Sequence, residues 1–271
     1  MAAPDRALRY ALRRKRAGAS PFSPLQVSAI TAWLRVANST VTGSGISSLP
    51  DVLNVNPAVQ GTDAVRPALG TSANGLSLIT GASGKVLTWP LAASNNGTSQ
   101  WGIACHINTA LAAGVRCVFG VRGGNGANVE RFRLQVAADE SVRAVVFIDD
   151  SNSRTGLTAA SQIGDSTPQL LTVEFDGTQA TEAAKLTITL DGAVKALTFT
   201  NEAGAGAIPA TMTAATGNSL IGALNTGGSS QPFTGFIGPN IYIIGSKMAG
   251  ATEGLLTAAA RTALSGFERP T

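Results

Sequence analysis

The sequence is built from short apolar or alternating runs, each bounded by residues that favour turns. The boundaries include GGNG at 123–126, DDSNSR at 149–154 and the Asp-Gly pair at 191–192. The runs lie at residues 101–107, 115–121, 132–137, 142–147, 170–175, 186–190 and 196–199. Closely spaced strands with turn residues between them are typical of an antiparallel sandwich. The pattern therefore predicts an all-β chain.

The run LLTVEFDG at 170–177 shows the alternation most clearly. Side chains of a strand point alternately to its two faces. Leu171, Val173 and Phe175 therefore share one face, and Thr172 and Glu174 share the other. We expect the first face to lie in the core and the second to be solvated.

Composition excludes several other classes of protein. Only 13% of the 271 residues are charged, and Gly and Pro number 31 and 12. Charged residues make up about 25% of an average chain, so a coiled coil or helical bundle is disfavoured. The 44% hydrophobic content is too high for a fully disordered chain.

Positive charge is concentrated at the N-terminus. The net charge is +4, and residues 1–17 alone carry +5, so residues 18–271 sum to −1. A folded domain that binds nucleic acid along one face needs a basic stripe there, and none is visible after residue 17.

Residues 3–17 have the signals of a short helix. Pro4 and Asp5 suit its first turn, and Leu8 and Leu12 share one narrow face. A helix this short is marginal alone in water, so we expect it to order on a partner; a frayed, solvated tail is the alternative. The predicted partner-binding residues are Arg6, Leu8, Arg9, Leu12, Arg13, Arg14, Lys15 and Arg16.

The rest of the chain reads as one domain. We assign residues 1–23 to the basic arm and its linker, and residues 24–271 to the β domain. The segment 254–267 returns to helical spacing, with Leu256, Ala260 and Leu264 in register. We expect this C-terminal helix to pack on the sandwich as a lid.

The sequence lacks the signals of membrane insertion and secretion. No apolar run is long enough for a spanning helix, and the N-terminal arginines precede no signal-peptide core. We expect no membrane partner and a chain that is made and kept, at least initially, in a cytoplasm.

Cysteine and histidine offer little chemistry. Cys105 and Cys117 flank what reads as a hairpin, and two reduced, buried thiols are favoured over a disulfide. His106 is the only histidine. A zinc site or a Ser-His-Asp triad is therefore improbable, and we predict no metal and no cofactor.

Acidic side chains give weak enzymatic or metal signals. Glu174 and Asp176 share a strand face, but a third acid is missing and Asp176 precedes a glycine, which favours a turn. Asp149 and Asp150 could offer oxygen ligands to Ca²⁺, although a polar surface loop is the commoner explanation. GGNG at 123–126 precedes no helix, so phosphate binding is unsupported. We predict that the chain is not an enzyme.

Two tryptophans are candidates for sugar binding. Trp89 and Trp101 flank the loop LAASNNGTSQ and could line a pocket. A tryptophan of a β-sandwich is more often a core residue, so both interpretations stay open.

From about residue 24 onward, the order of motifs resembles the concanavalin A-like, laminin G-like jelly roll found in tailed-bacteriophage virion proteins. The resemblance rests on the ordered segments SPLQVSAITAWLRV (23–36), NGLSLITGASGKVLTWP (74–90), LLTVEFDGTQATEAAKLTITLDGAVKALTF (170–199), SLIGAL (219–224), FTGFIGPNIYIIG (233–245) and LLTAAARTALSGF (255–267). It implies an antiparallel jelly-roll sandwich. The first loop and the start of the last helix depart from the family pattern.

The resemblance also implies a function. A non-enzymatic structural protein of a phage particle, such as a capsid decoration or a head- or tail-associated component, is the primary expectation. It would be located in the virion, assembled in the host cytoplasm, and contact other virion proteins and copies of itself. The basic arm would anchor it to neighbouring subunits or, alternatively, contact packaged nucleic acid without sequence preference. A lectin-type module that binds glycans for host attachment is the second expectation, because this fold serves several functions.

Overall fold

The computed structural model describes residues 22–53, 56–90, 97–109, 114–122, 130–164 and 167–271. The described residues form eighteen strands and two α-helices, α1 (Glu182–Lys185) and α2 (Ala258–Gly266). The strands are β1 (Ile30–Arg35), β2 (Thr40–Thr42), β3 (Gly45–Leu49), β4 (Ala58–Val59), β5 (Ala68–Thr71), β6 (Ser77–Gly81), β7 (Leu87–Trp89), β8 (Gln100–Thr109), β9 (Arg116–Arg122), β10 (Glu130–Val136), β11 (Val142–Phe147), β12 (Ser153–Leu157), β13 (Gln169–Asp176), β14 (Leu186–Leu190), β15 (Ala193–Val194), β16 (Thr198–Ala203), β17 (Ser219–Ile221) and β18 (Gly235–Ile244).

The strands form two antiparallel sheets. The eight-stranded sheet has the order β15-β14-β13-β8-β18-β6-β5, and β1 also pairs with β18. The ten-stranded sheet has the order β16-β12-β11-β10-β9-β17-β7-β4-β3-β2. The sheets pack face to face, which confirms the predicted jelly-roll sandwich.

The main core lies between the two sheets. Leu171, Val173 and Phe175 are fully buried in it, as the alternation of β13 predicts. Aromatic rings fill its centre: the Trp101 ring lies 4.6 Å from the Phe132 ring and 6.0 Å from the Phe119 ring, centroid to centroid.

A third layer covers the outer face of the eight-stranded sheet. We predicted that face to be solvated, but Thr172 and Glu174 are both fully buried. The C-terminal segment lies over it and forms a second apolar cluster with the sheet. The prediction of a wet face was therefore wrong at β13, because alternation cannot show whether another segment covers a sheet.

Helix α2 is the main element of this third layer. Thr257 caps it by accepting a hydrogen bond from the backbone nitrogen of Ala260. Ala260 and Leu264 face the sheet and pack in the same cluster as Leu170 and Tyr242. The predicted lid is confirmed, although the helix begins at residue 258 rather than 254.

Most predicted strands are present, and two have the boundaries expected from the sequence. Strands β11 and β14 coincide with runs 142–147 and 186–190. The run 196–199 is not one strand, since β16 starts at Thr198 and extends to Ala203.

The predicted hairpin between the cysteines was wrong. Cys105 lies on β8 of the eight-stranded sheet and Cys117 on β9 of the ten-stranded sheet. Both are buried free thiols, as the preferred interpretation expected.

The described chain begins with a short helical turn that leads towards the first strand. A 3-10 helix at Pro24–Gln26 begins with a capping box between Ser23 and Gln26 and leads towards β1. The partner-binding residues predicted between Arg6 and Arg16 lie outside the described residues. The division at residues 23 and 24 stays a prediction. Among the described helices, none has the length and hydropathy to cross a membrane.

Candidate functional site

The outer face of the ten-stranded sheet carries a group of interacting charged and polar side chains. On β10, Phe132, Leu134 and Val136 point into the core, so Arg133 and Gln135 project from the opposite face. Segments between the strands cover part of this face: Gln135 is 1% exposed and contacts Gln231, and Leu220 of β17 is buried in a small cluster with Val65. The C-terminal layer, in contrast, lies over the other sheet.

Charged side chains from three strands meet at the centre of this face. Arg133 binds Glu130 through Nε (2.8 Å to Oε2) and Glu202 through Nη2 (2.9 Å to Oε1). Arg143 on β11 approaches Glu202 at 3.6 Å, and the Thr155 hydroxyl of β12 donates to Glu202 at 3.3 Å. We call these residues the polar cluster.

A bulge in the edge strand β16 delivers Glu202 to the polar cluster. Ser153 faces Ala203 and Arg154 faces Asn201, so Glu202 has no opposite residue on β12. An extra residue of this kind re-aims its side chain. The carboxylate of Glu202 thereby turns over the sheet and contacts the arginines of β10 and β11.

Burial and aromatic contact shape the cluster further. The guanidinium carbon of Arg133 lies 4.9 Å from the centre of the Phe147 ring, a cation–π contact. Burial of Glu130 and the nearby charge of Glu202 raise the pKa of its carboxyl, while Arg133 and Arg122 act in the opposite direction. Contacts with Glu130, Glu202 and the Phe147 ring together hold the Arg133 side chain in place.

An open depression of about 400 Å³ lies beside the polar cluster. Its polar lining combines a carboxylate, a guanidinium and three hydroxyls, and its apolar lining consists of small or branched side chains. The lining residues are Val115, Ala137, Ala138, Asp139, Ser141, Arg143, Thr155, Leu157 and Thr200.

Asp139 is held in place at the rim of the depression. The hydroxyl and the backbone nitrogen of Ser141 donate to its Oδ1 at 2.6 Å and 3.1 Å. These hydrogen bonds lower the pKa of the Asp139 carboxyl, so it is ionised at neutral pH. An exposed acceptor therefore faces Arg143 across a surface bearing hydroxyl groups, a combination suited to a ligand with several hydrogen-bonding groups.

The predicted sugar-binding tryptophans are not at this depression. Trp89 and Trp101 are 2% and 0% exposed and lie in the core between the sheets. The indole nitrogen of Trp89 donates to the carbonyl oxygen of Asn56. Neither ring can stack on a sugar in this fold, and the core interpretation replaces the pocket interpretation.

The Glu174 and Asp176 pair holds the C-terminal layer in place instead of facing a substrate. Glu174 binds Arg261 of α2 through both carboxylate oxygens, at 2.8 Å and 3.0 Å. It also accepts hydrogen bonds from the backbone nitrogens of Leu255 and Leu256. With Glu174 wholly buried, the pair cannot act on a glycan, which removes the basis of the hydrolase interpretation.

Hydrogen bonds and an ion pair also occupy the carboxylate of Asp176. Burial alone would raise the pKa of its carboxyl, but donors from Thr178, Lys247, Gln179 and Gln100 outweigh burial and lower it to about 2. The Lys247 ammonium lies 3.0 Å from Oδ2. Asp176 therefore fixes the start of the C-terminal layer.

In the candidate calcium loop, both carboxylates are already bound by groups of the protein. The Oδ1 atom of Asp149 accepts hydrogen bonds from the backbone nitrogens of Ser151 and Asn152, and Asp150 pairs with Arg131 at 2.6 Å. In the described residues, no group of three or more His, Cys, Asp or Glu side chains could hold a metal ion. The surface-loop interpretation therefore accounts for these side chains.

The sequence did contain a signal for the polar cluster that we did not use. Segment 130–136, ERFRLQV, places arginines at alternate positions of a strand whose other face is apolar. Polar residues that alternate with apolar residues along one strand indicate that the polar side chains leave the core. Glu202, by contrast, has no local signal, because its place depends on the bulge.

Comparison with known proteins defines the fold and leaves the family open. No protein-family model matches the chain, and no curated protein matches it. Solved structures do match over most of its length. One is the Trypanosoma rangeli sialidase in complex with sialic acid, with a TM-score of 0.56, 13% identity and coverage of 92% of this chain and 34% of the sialidase.

A second match is a structure of botulinum neurotoxin type C, which interacts with two ganglioside molecules. Its TM-score is 0.57 at 9% identity, with coverage of 89% of this chain and 52% of the neurotoxin chain. The chain thus spans about a third of the sialidase and half of the neurotoxin chain. At these identities the likeness establishes the β-sandwich fold alone.

Proposed function

We propose that this protein is a glycan-binding module whose ligand occupies the depression beside the polar cluster. The observation that carries the proposal is the lining of that depression by the accessible side chains of Asp139, Arg143 and Thr200. A sugar offers many hydroxyls that both donate and accept, and these three side chains supply an acceptor, donors and a hydroxyl that can do both.

The shape of the site supports the same function. The depression is open and lies on the outer face of the sheet, so an extended chain of sugars can lie across it without a deep cleft. Val115 and Leu157 give it an apolar patch on which the carbon–hydrogen face of a sugar can pack. Because Arg133 and Glu202 hold one another, the neighbouring polar groups are ordered before the ligand arrives, which lowers the entropic cost of binding.

The structural neighbours support a carbohydrate ligand as well. The sialidase was solved with sialic acid, and the neurotoxin interacts with gangliosides. Both share the sandwich with this chain, so a glycan is the ligand class that fold and depression favour together. Glu174 and Asp176, the pair considered for hydrolysis, are engaged with the C-terminal layer, in line with a binding protein that is not an enzyme.

Substitution of Arg143 by glutamine tests the proposal. We expect Arg143→Gln to weaken binding of a glycan identified on an array by roughly tenfold or more, because a hydrogen bond to a charged group contributes roughly 1.5–3 kcal/mol. Lys195→Gln, which removes one positive charge at the edge of the other sheet, is the matched control and should bind like the wild type. Titration calorimetry measures both; an array without any hit, or equal affinities for the two variants, contradicts the proposal.

The role in a tailed-phage particle stays a prediction. It depends on the basic residues between Arg6 and Arg16, which lie outside the described residues, and the structural neighbours point to glycan binding rather than to a virion. The virion location, the contacts with virion proteins and the contact of the arm with nucleic acid are likewise untested predictions.

A further inference from the structure

We infer that the glycan bound at the depression is uncharged, and that glycans bearing a carboxylate are disfavoured. This inference rests on the proposed function and separates the chain from its sialic acid-binding neighbour. It rests on the charged side chains around the depression.

The charges of this part of the ten-stranded sheet give no positive excess. Of the six arginines between residues 116 and 154, Arg154 lies opposite the core residue Val146 and pairs with Glu182 at 2.7 Å. The other five are Arg116, Arg122, Arg131, Arg133 and Arg143, and the same segment together with β16 carries six acidic residues, Glu130, Asp139, Glu140, Asp149, Asp150 and Glu202. This region therefore has no surplus positive charge to attract an acidic ligand.

The arginines nearest the depression are individually offset as well. Arg133 is bound by the two carboxylates of Glu130 and Glu202. Arg143, the guanidinium that lines the depression, lies between Glu202, at 3.6 Å, and Asp139, on whose carboxyl it exerts an attractive charge effect. A carboxylate placed against Arg143 would thus meet two negative groups as well as one positive group.

Geometry explains why Glu202 decides this preference. The bulge of β16 turns its carboxylate towards both Arg133 and Arg143. With a regular pairing in its place, the two guanidinium groups would lack that shared negative partner and would form a site for anions. The neutral hydroxyls of a sugar, in contrast, can accept from Arg143 and donate to Asp139 at once.

A paired glycan array provides the test. Each neutral glycan is printed beside the same glycan with a terminal sialic acid on the sugar that binds. We expect the sialylated member of each binding pair to bind about three- to tenfold more weakly. Its carboxylate would lie near the carboxylates of Glu202 and Asp139, and repulsion between like charges at a partly solvated site is of this order. We also expect the affinity for the neutral member to change little with added NaCl, since ionic contacts are screened by salt.

The variant Glu202→Gln should shift the preference towards the sialylated member, by about the same factor, because it removes the carboxylate between the two arginines. Glu253→Gln removes an equal charge from the C-terminal layer on the opposite side of the molecule and should leave the ratio unchanged. Wild-type protein that binds sialylated glycans more tightly, or neutral binding that weakens steeply with salt, overturns the inference even if Glu202→Gln fails to fold. Absence of binding to every glycan overturns the proposed function instead.

Discussion

The ion pair of Glu174 and Arg261 is the most deeply buried charged contact in the described chain. Their side chains are 0% and 3% exposed, and the carboxylate also accepts two backbone hydrogen bonds from the C-terminal layer. A buried pair of this kind adds little net stability but is costly to break, because the remaining charge stays buried without a partner. It fixes the position of α2 on the sheet.

Removal of one partner gives a measurable loss of stability. We expect Arg261→Met to lower the free energy of unfolding by about 3 kcal/mol or more, since Glu174 would be left as an uncompensated buried charge. Arg269→Met breaks the pair with Asp191, in which the arginine side chain is 37% exposed, and should cost less than about 1 kcal/mol. Urea denaturation of both variants measures the difference; equal losses would show that burial does not govern these pairs.

At the same scale, no residue of the polar cluster was predicted, although local pattern could have indicated some of them. Arg133 and Arg143 alternate with core residues on β10 and β11, so the sequence places their side chains on the outer face. Glu202 could not be predicted, because its contacts span almost 70 positions of sequence and depend on β16 pairing with β12 through a bulge. Trp89 and Trp101 show the converse limit, since composition alone cannot distinguish a pocket aromatic from a core aromatic.

Among the elements, the packing of α2 on β8 confines the single histidine of the chain. His106 of β8 donates from Nε2 to the carbonyl oxygen of Ser265 at 3.2 Å. Burial lowers the pKa of His106 to about 4, against the opposing effects of that hydrogen bond and of Asp191. The folded protein therefore keeps this ring neutral at a pH where the unfolded chain protonates it.

This difference predicts how stability depends on pH. The unfolded chain takes up a proton on His106 near pH 6.5 and the folded chain only near pH 4. The free energy of unfolding should thus be at its full value above about pH 6.5 and fall by up to roughly 3 kcal/mol as the pH drops to about 4. Denaturation curves of wild type and His106→Gln across this range give the comparison: the variant should lack the decline, and parallel pH profiles would contradict the assignment.

The positions of most predicted strands were correct, whereas the one predicted pairing, a hairpin between the cysteines, was wrong. Runs bounded by turn residues identify strands such as β11 and β14, because alternation and turn chemistry are local properties. Pairing is not local: β8 and β9 follow one another in the sequence but belong to different sheets. The same limitation hid the third layer, since nothing in β13 itself indicates that α2 will cover it.

For the molecule as a whole, the two cysteines report on global opening. Cys105 and Cys117 are at most 1% exposed. Burial raises the pKa of Cys105 to about 12 and also raises the pKa of Cys117. Neither thiol is accessible or ionised in the folded state. Their reaction with an alkylating reagent requires the sandwich to open.

We therefore expect both thiols to resist iodoacetamide at neutral pH and to react rapidly in denaturant. The labelling rate under native conditions should change in proportion to the unfolding equilibrium, so Arg261→Met should label faster than Arg269→Met. Mass spectrometry of the intact protein counts the modified thiols. Rapid labelling of either cysteine in the native wild type would refute this assignment.

The C-terminal layer lies over the eight-stranded sheet, and we call that side the back of the molecule and the opposite side the front. Phe22 packs against the ring of Phe267, and the carbonyl oxygen of Thr271 accepts from the backbone nitrogen of Ala73, so both ends of the described chain lie on the back. The depression opens on the front. A support or fusion partner joined at Thr271 therefore leaves the front facing the medium.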